Sequence, residues 1–439
     1  MMHRRASVRT AVALAAVSAM ALGLSACGGT AGPGSSTSGS ASLTVWSLQD
    51  TALNPVQQTS IKAYDTATPG TKVTMQTFVN DPYKQKLQTA LGSPDAPDVF
   101  LNWGGGNLAT YVKAGDVADL TGALQTDPAF LNAFLPSVLD GGKIDGKNYG
   151  VPMEGVQPVA LFYNKDVFAE AGITAAPATW ADLLTDIDAM KARKVTPIAL
   201  AGSQAWTELM WMEYLLDRVG GPKVFAAIQA GAPGAWKDPA VLTALTMIRD
   251  LVDRGAFGTN YGSVGQDSGG ADALLAKGRA GMELMGSWEY AGQLAGAPDF
   301  VKSGKLGWTT FPSVPDGKGD PKDVVGNPSN FFSVTAKSKN TKAAVDFIEK
   351  TVASPDYVKD LIAIGQVPAV AGADAQLQSG PNADYTTFVY GLVKNAPSFT
   401  QSWDQALDPA TAQNLLTDLQ KVFNKQSTPQ QFVSAMGAA

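Results

Sequence analysis

Leu43-Thr44-Val45-Trp46, Lys72-Val73-Thr74-Met75-Gln76-Thr77-Phe78-Val79 and Asp98-Val99-Phe100-Leu101-Asn102-Trp103 decide the architecture of this chain. Each run is rich in β-branched or aromatic residues and reads as a strand. A helical pattern separates each pair, near Val56–Thr66 and Tyr83–Leu91. Strands that alternate with helices favour an α/β fold with an open sheet. Ligands of such sheets gather at the carboxyl ends of the strands. Trp46, Asn102 and Trp103 stand at those ends. Gly104-Gly105-Gly106 follows the third strand without a Lys-Ser or Lys-Thr, so it reads as a turn and not as a phosphate loop.

Beyond this opening the chain becomes more helical. Thr179 caps a helix whose Leu183, Leu184, Ile187 and Met190 share one face. Asp238-Pro239 opens another, stopped by Gly255. Arg279–Met285, Lys305–Phe311 and Phe331–Ala336 read as strands. Lys342–Val352, Ala412–Phe423 and Pro429–Met436 read as amphipathic helices.

Toward the amino terminus, Arg4, Arg5 and Arg9 precede an apolar stretch, Ala11–Leu24, which leads into Leu24-Ser25-Ala26-Cys27-Gly28. That order resembles a bacterial lipoprotein signal over residues 1–26, with Cys27 as the lipidated residue. Two acyl chains on Cys27 give stable membrane anchoring. Residues 27–41 are nearly all Gly, Ser, Thr and Ala and read as a flexible tether. Cleavage before Cys27 also removes His3, the only histidine, and Cys27 is the only cysteine. A body without either residue has no Ser-His-Asp or Cys-His nucleophile and no His/Cys zinc site. No metal and no cofactor is expected. Disulfides are likewise unavailable, so the hydrophobic core must carry the fold. The net charge of −6 becomes more negative once the three arginines are lost, which argues against a nucleic-acid partner.

One long stretch carries a resemblance. Asp145-Gly146-Lys147-Asn148-Tyr149-Gly150-Val151-Pro152 is followed by Leu161-Phe162-Tyr163-Asn164-Lys165-Asp166, by Ala171-Gly172-Ile173, and by Pro177-Ala178-Thr179-Trp180. Lys277-Gly278-Arg279-Ala280-Gly281-Met282, Gly286-Ser287-Trp288 and the helix from Asn340 to Glu349 add to it. This order resembles the solute-binding proteins of bacterial carbohydrate ABC importers, the maltose-binding-protein-like family. The resemblance implies a two-lobed periplasmic-binding-protein-like fold (type II), with the ligand cleft between lobes joined by crossing strands. It implies lobe one over 42–153 and 309–333, and lobe two over 154–306 and 334–439.

A sugar offers apolar C–H faces and a hydroxyl rim, which suit aromatic rings above and below and acids or amides at the edge. The resemblance places Trp288 and Trp403 as stacking rings and Glu154 as an acid at the lobe crossing, with a hinge salt bridge as its other reading. Trp206 reads as a cleft residue and Trp211, at helix spacing from it, as core. Asn102 and Trp46 at strand ends, and Asn330 or Asn327 near the last crossing, complete the set. Glu289 is a contact or a solvent position at a helix end. The function implied is a non-enzymatic, lipid-anchored extracellular receptor, monomeric, that delivers a sugar or short oligosaccharide to a separate ABC permease and ATPase. The alternatives are an extracellular glycoside hydrolase, with Glu154 and Glu289 as paired carboxyls, and a receptor for a non-sugar solute.

Overall fold

The computed structural model describes residues 41–438. Cys27, the signal segment and nearly all of the tether lie outside them. Among the described residues no helix is long and apolar enough to cross a membrane.

Among the described residues there are thirteen strands: β1 (Ala41–Leu48), β2 (Thr71–Phe78), β3 (Val99–Asn102), β4 (Lys143–Ile144), β5 (Lys147–Asn148), β6 (Val151–Pro152), β7 (Gln157–Asn164), β8 (Thr196–Ala199), β9 (Ala280–Gly286), β10 (Leu306–Thr309), β11 (Val324–Asn327), β12 (Phe331–Val334) and β13 (Phe399–Gln401). One sheet has the order β2-β1-β3-β12-β6, and a second has β13-β11-β7-β9-β8 with β10 also on β7. β1 is parallel to β2 and β3, whereas β12 returns antiparallel to β3. β4 and β5 form a separate hairpin.

Each sheet has its own core. Val45, Leu101 and Phe332 lie in the first; Phe162, Leu284 and Trp211 lie in the second. Strands buried on both faces explain the continuous apolar runs: all seven residues of β9 are buried. Local signals act as read from the sequence. Thr179 Oγ1 accepts from Asp182 N–H while Asp182 accepts from Thr179 N–H, a complete capping box. Asp238 caps the helix Pro239–Asp253.

Three segments cross between the sheets and bind one another. Met153–Val156 joins β6 to β7, 328–330 joins β11 to β12, and 366–368 leads out of the helix Pro355–Ala363. Met153 N–H donates to Asn330 O at 2.9 Å and Val156 N–H to Val367 O at 2.9 Å.

The lobe boundaries expected from sequence need correction. β10 and β11 belong to the second sheet, so 309–327 is not part of lobe one. The helix Thr341–Thr351 buries Ala344, Phe347 and Ile348 in the first core, so lobe two does not begin at 334. The helix Pro355–Ala363 serves both cores: Tyr357 and Leu361 face one, Val358 and Ile362 the other. Its apolar stripe is therefore divided between two neighbours, which periodicity alone does not reveal.

The turn after β3 is also a lobe contact. A Cβ on Gly105 would collide with Gln401 and the Gln405 carbonyl, and one on Gly106 with the carbonyls of Ala406 and Leu407. Gly104 and Gly105 hold φ of 72° and 58°, the left-handed region that suits glycine.

Candidate functional site

Between the sheets lies a cleft of about 680 Å³, within the range of small-ligand sites. The first lobe lines it with Asp50, Lys84 and Trp103; the crossings supply Glu154 and Asn330, and the strand ends beside them Gln157 and Asn327. The second lobe supplies Trp206, Gln266, Asp272, Trp288, Glu289 and Gln293, with Asp404 and Gln405 from the segment after β13.

Two half-buried tryptophans form an aromatic wall. Trp206 opens the helix Ala205–Gly220, and Trp288 precedes the helix Glu289–Gly296. Their ring centroids are 6.4 Å apart at 50°. The Trp288 ring lies against Gly286, where an added Cβ would occupy its place. Trp103 faces the cleft from lobe one with the Lys84 ammonium 5.1 Å from its ring centre.

Glu154 fastens the three crossings together. Its Oε2 accepts from Asn330 Nδ2 and its Oε1 from Gln366 Nε2, each at 2.7 Å. Burial raises its pKa to about 7, the nearby Asp50 charge adds to this, and the two amide donors oppose it. Trp206 Nε1, Gln266 Oε1, Asn327 Oδ1 and Asn330 Oδ1 are buried without a hydrogen-bond partner among the described residues. All four belong to residues that line the cleft. Such orphaned atoms are costly unless a ligand or water satisfies them. Acids outnumber bases on the wall, and Lys84 is already paired to Asp404 at 2.9 Å.

Of the residues singled out from sequence, the cleft brings together Trp288, Trp206, Glu154 and Asn330, with Asn327 and Glu289 beside them. Three others stand elsewhere. Trp403 is 1% exposed and stacks on Phe225 at 4.4 Å and 5°, with Trp236 edge-on at 6.5 Å. It is a core residue, and its neighbours Ser402, Asp404 and Gln405 reach the cleft instead. Trp46 is buried against Phe78 with Lys86 over its ring. Asn102 is an internal brace: Nδ2 donates to Ser333 Oγ at 2.8 Å and Oδ1 accepts from Gly104 N–H at 2.9 Å. Strand alternation accounts for the last case, since the residue after Asn102 turns its side chain to the opposite face, and that residue is Trp103. Trp211 is buried in the second core, as expected. Asp50, Lys84, Gln266, Asp272 and Asp404 carried no motif in the sequence.

A model of the family described as bacterial extracellular solute-binding protein matches residues 46–359. The diacetylchitobiose binding protein DasA of Streptomyces coelicolor is 26% identical over 427 residues, 94% of each chain. A solved chain from work on xylan utilization by the thermophilic bacterium Caldanaerobius polysaccharolyticus superposes with a TM-score of 0.82 at 26% identity, covering 90% of this chain and 99% of that one. A chitin oligosaccharide binding protein gives 0.81 at 26%, covering 91% and 98%.

Proposed function

The chain belongs to the bacterial extracellular solute-binding protein family, and from that premise we propose that it captures a neutral sugar or short oligosaccharide and presents it to an ABC permease. The observation that carries this reading is the pairing of the Trp206–Trp288 wall with unpartnered amide oxygens on the same cleft. Rings suit the C–H faces of a sugar, and the amide oxygens accept from its hydroxyls. The diacetylchitobiose and chitin oligosaccharide bound by two of the similar proteins, and the xylan context of a third, support a di- or trisaccharide from a β-linked polymer. Cys27 holds the body to the outer face of the membrane through a lipid anchor. The glycine- and serine-rich segment after it gives the body reach.

The mechanism is lobe closure. A solute that touches Trp103 and Lys84 on one lobe and the tryptophan wall on the other stabilises the closed arrangement over the open one. The crossings at 153–156, 328–330 and 366–368 take up the rotation. Glu154, bonded to both Asn330 and Gln366, keeps them in register as they bend.

Titration calorimetry with diacetylchitobiose, a xylo-oligosaccharide and maltotriose tests the proposal. Binding of at least one, with the sugar recovered intact, is the expected result. Trp206→Ala and Trp288→Ala should each weaken binding by about 1–3 kcal/mol, or roughly five- to 150-fold. The melting temperature of the free protein should change little. Turnover of the sugar, or affinity unchanged in both variants, overturns the reading.

A further inference from the structure

Beneath the tryptophan wall three carboxyl groups converge from three elements. Asp272 lies on the helix Gly270–Ala276, Glu283 on β9, and Glu289 at the start of the helix Glu289–Gly296. One oxygen from each lies within 4.8 Å of the other two. Glu283 and Glu289 are each 1% exposed. Asp272 and Glu289 reach the cleft wall, and Glu283 stands behind them.

Such a cluster is hard to explain by the protein alone. The charged groups that act on these three carboxyls are one another, with no lysine or arginine among them. Burial without a counter-charge strongly disfavours ionised acids. Mutual proton sharing answers only part of this. Asp272 and Glu289 are close enough to share a proton, yet both oxygens of Glu283 have no hydrogen-bond partner among the described residues. That unpartnered carboxyl points into the cluster, and it is an observation separate from the presence of three acids.

The supporting amides also leave room. Gln293 Nε2 donates to Glu289 Oε1 at 2.7 Å and to the Asp272 carbonyl at 3.0 Å. Gln266 Nε2 donates to Asp272 Oδ1 at 2.6 Å. One oxygen of Asp272 and one of Glu289 are thus fixed, while Asp272 Oδ2 and Glu289 Oε2 receive no such donor. Calcium takes carboxylate oxygens at about 2.3–2.6 Å, so oxygens on opposite sides of one ion stand about 4.6–5.2 Å apart. The span of the cluster fits a single ion of that kind.

We propose that Asp272, Glu283 and Glu289 form a site for one hard divalent cation of the calcium class, set under the Trp206–Trp288 wall and completed by water from the cleft. That the described residues hold no histidine and no cysteine does not bear on it, because such ions prefer oxygen ligands. The proposal rests on the cluster alone and not on the identity of the solute.

The test uses the full protein stripped with EDTA, with calcium chloride as the probe. Native mass spectrometry should show one calcium per chain, and calorimetric titration should show saturable binding. The melting temperature should rise by several degrees, and sodium chloride at equal ionic strength should not reproduce the rise. Glu283→Gln should weaken calcium binding at least about tenfold. The stripped variant should melt no lower than the stripped parent, since a neutral amide relieves the repulsion. Asp272→Asn, on the cleft side, should weaken binding likewise and serves as a second readout should Glu283→Gln fold poorly. Absence of binding to the stripped parent, or unchanged calcium affinity in a folded variant, overturns the proposal.

Discussion

Glu213→Gln should flatten the pH dependence of folding stability. Glu213 is 1% exposed in the middle of the helix Ala205–Gly220. It accepts from Ser402 Oγ at 2.9 and 3.2 Å and from Trp403 N–H at 2.7 Å. It thereby anchors the corner that carries Asp404 and Gln405 to the cleft. Burial lifts its pKa from 4.5 to about 8; the Asp404 charge adds to the rise, and the two donors oppose it. Between those values the folded chain holds a proton that the unfolded chain has released. The stabilising contribution is therefore complete below pH 4.5 and is lost as pH rises through about 8. Within the window one such proton is worth about 1.4 kcal/mol per pH unit. From about pH 5.5 to about pH 7.5 the loss is about 3 kcal/mol. Urea denaturation of parent and variant across that range is the assay. Glutamine keeps an acceptor for Trp403 N–H and does not titrate, so the difference in slope isolates Glu213. Glu154, Glu208 and Asp217, all raised by burial, act in the same direction and steepen the slope of the parent. A parent whose stability rises from pH 5.5 to 7.5, or a variant with a parallel slope, refutes the reasoning.

Trp403→Ala should lower stability by about 3–5 kcal/mol while sugar affinity, measured by calorimetry on the folded variant, stays close to that of the parent. Weakened binding with an unchanged melting temperature would return Trp403 to the cleft. Cys27→Ser should leave the precursor uncleaved or release the protein from membranes, as read by fractionation, with no effect on the binding of the purified body. Normal processing and anchoring of that variant would exclude the lipid anchor.

The opening α/β order was legible because its signals are local. β1, β2 and β3 carry β-branched and aromatic residues, and the helices between them have clear apolar faces. Capping at Thr179 and Asp238 is equally local. The helix Ala205–Gly220 is less legible because Thr207–Arg218 is buried on every face, which erases its periodicity. β13 has three residues, too few for a pattern. In the site, Trp206 and Trp288 could be found from position in the chain, whereas Trp403 could not be separated from them. A large aromatic serves a core and a sugar equally well, and only the Phe225 and Trp236 rings around Trp403 decide. Glu283 was hidden for a related reason. An acid inside a strand as apolar as β9 has meaning only once Asp272 and Glu289 are seen to face it.

Where Gly105 and Gly106 meet Gln405, Ala406 and Leu407, main chain of one lobe abuts main chain of the other. A contact of that kind works as a mechanical stop. Its position does not vary with side-chain rotamers, so in the closure proposed above the lobes would halt at one separation whatever fills the space between them. Beside it, the Lys84–Asp404 ion pair and the bonds from Asn107 to Asp404 and Gln405 tie the same two lobes together. Larger residues placed at the stop would serve as shims of graded thickness. A receptor that signals occupancy by its shape could thus be tuned at a point that touches no solute.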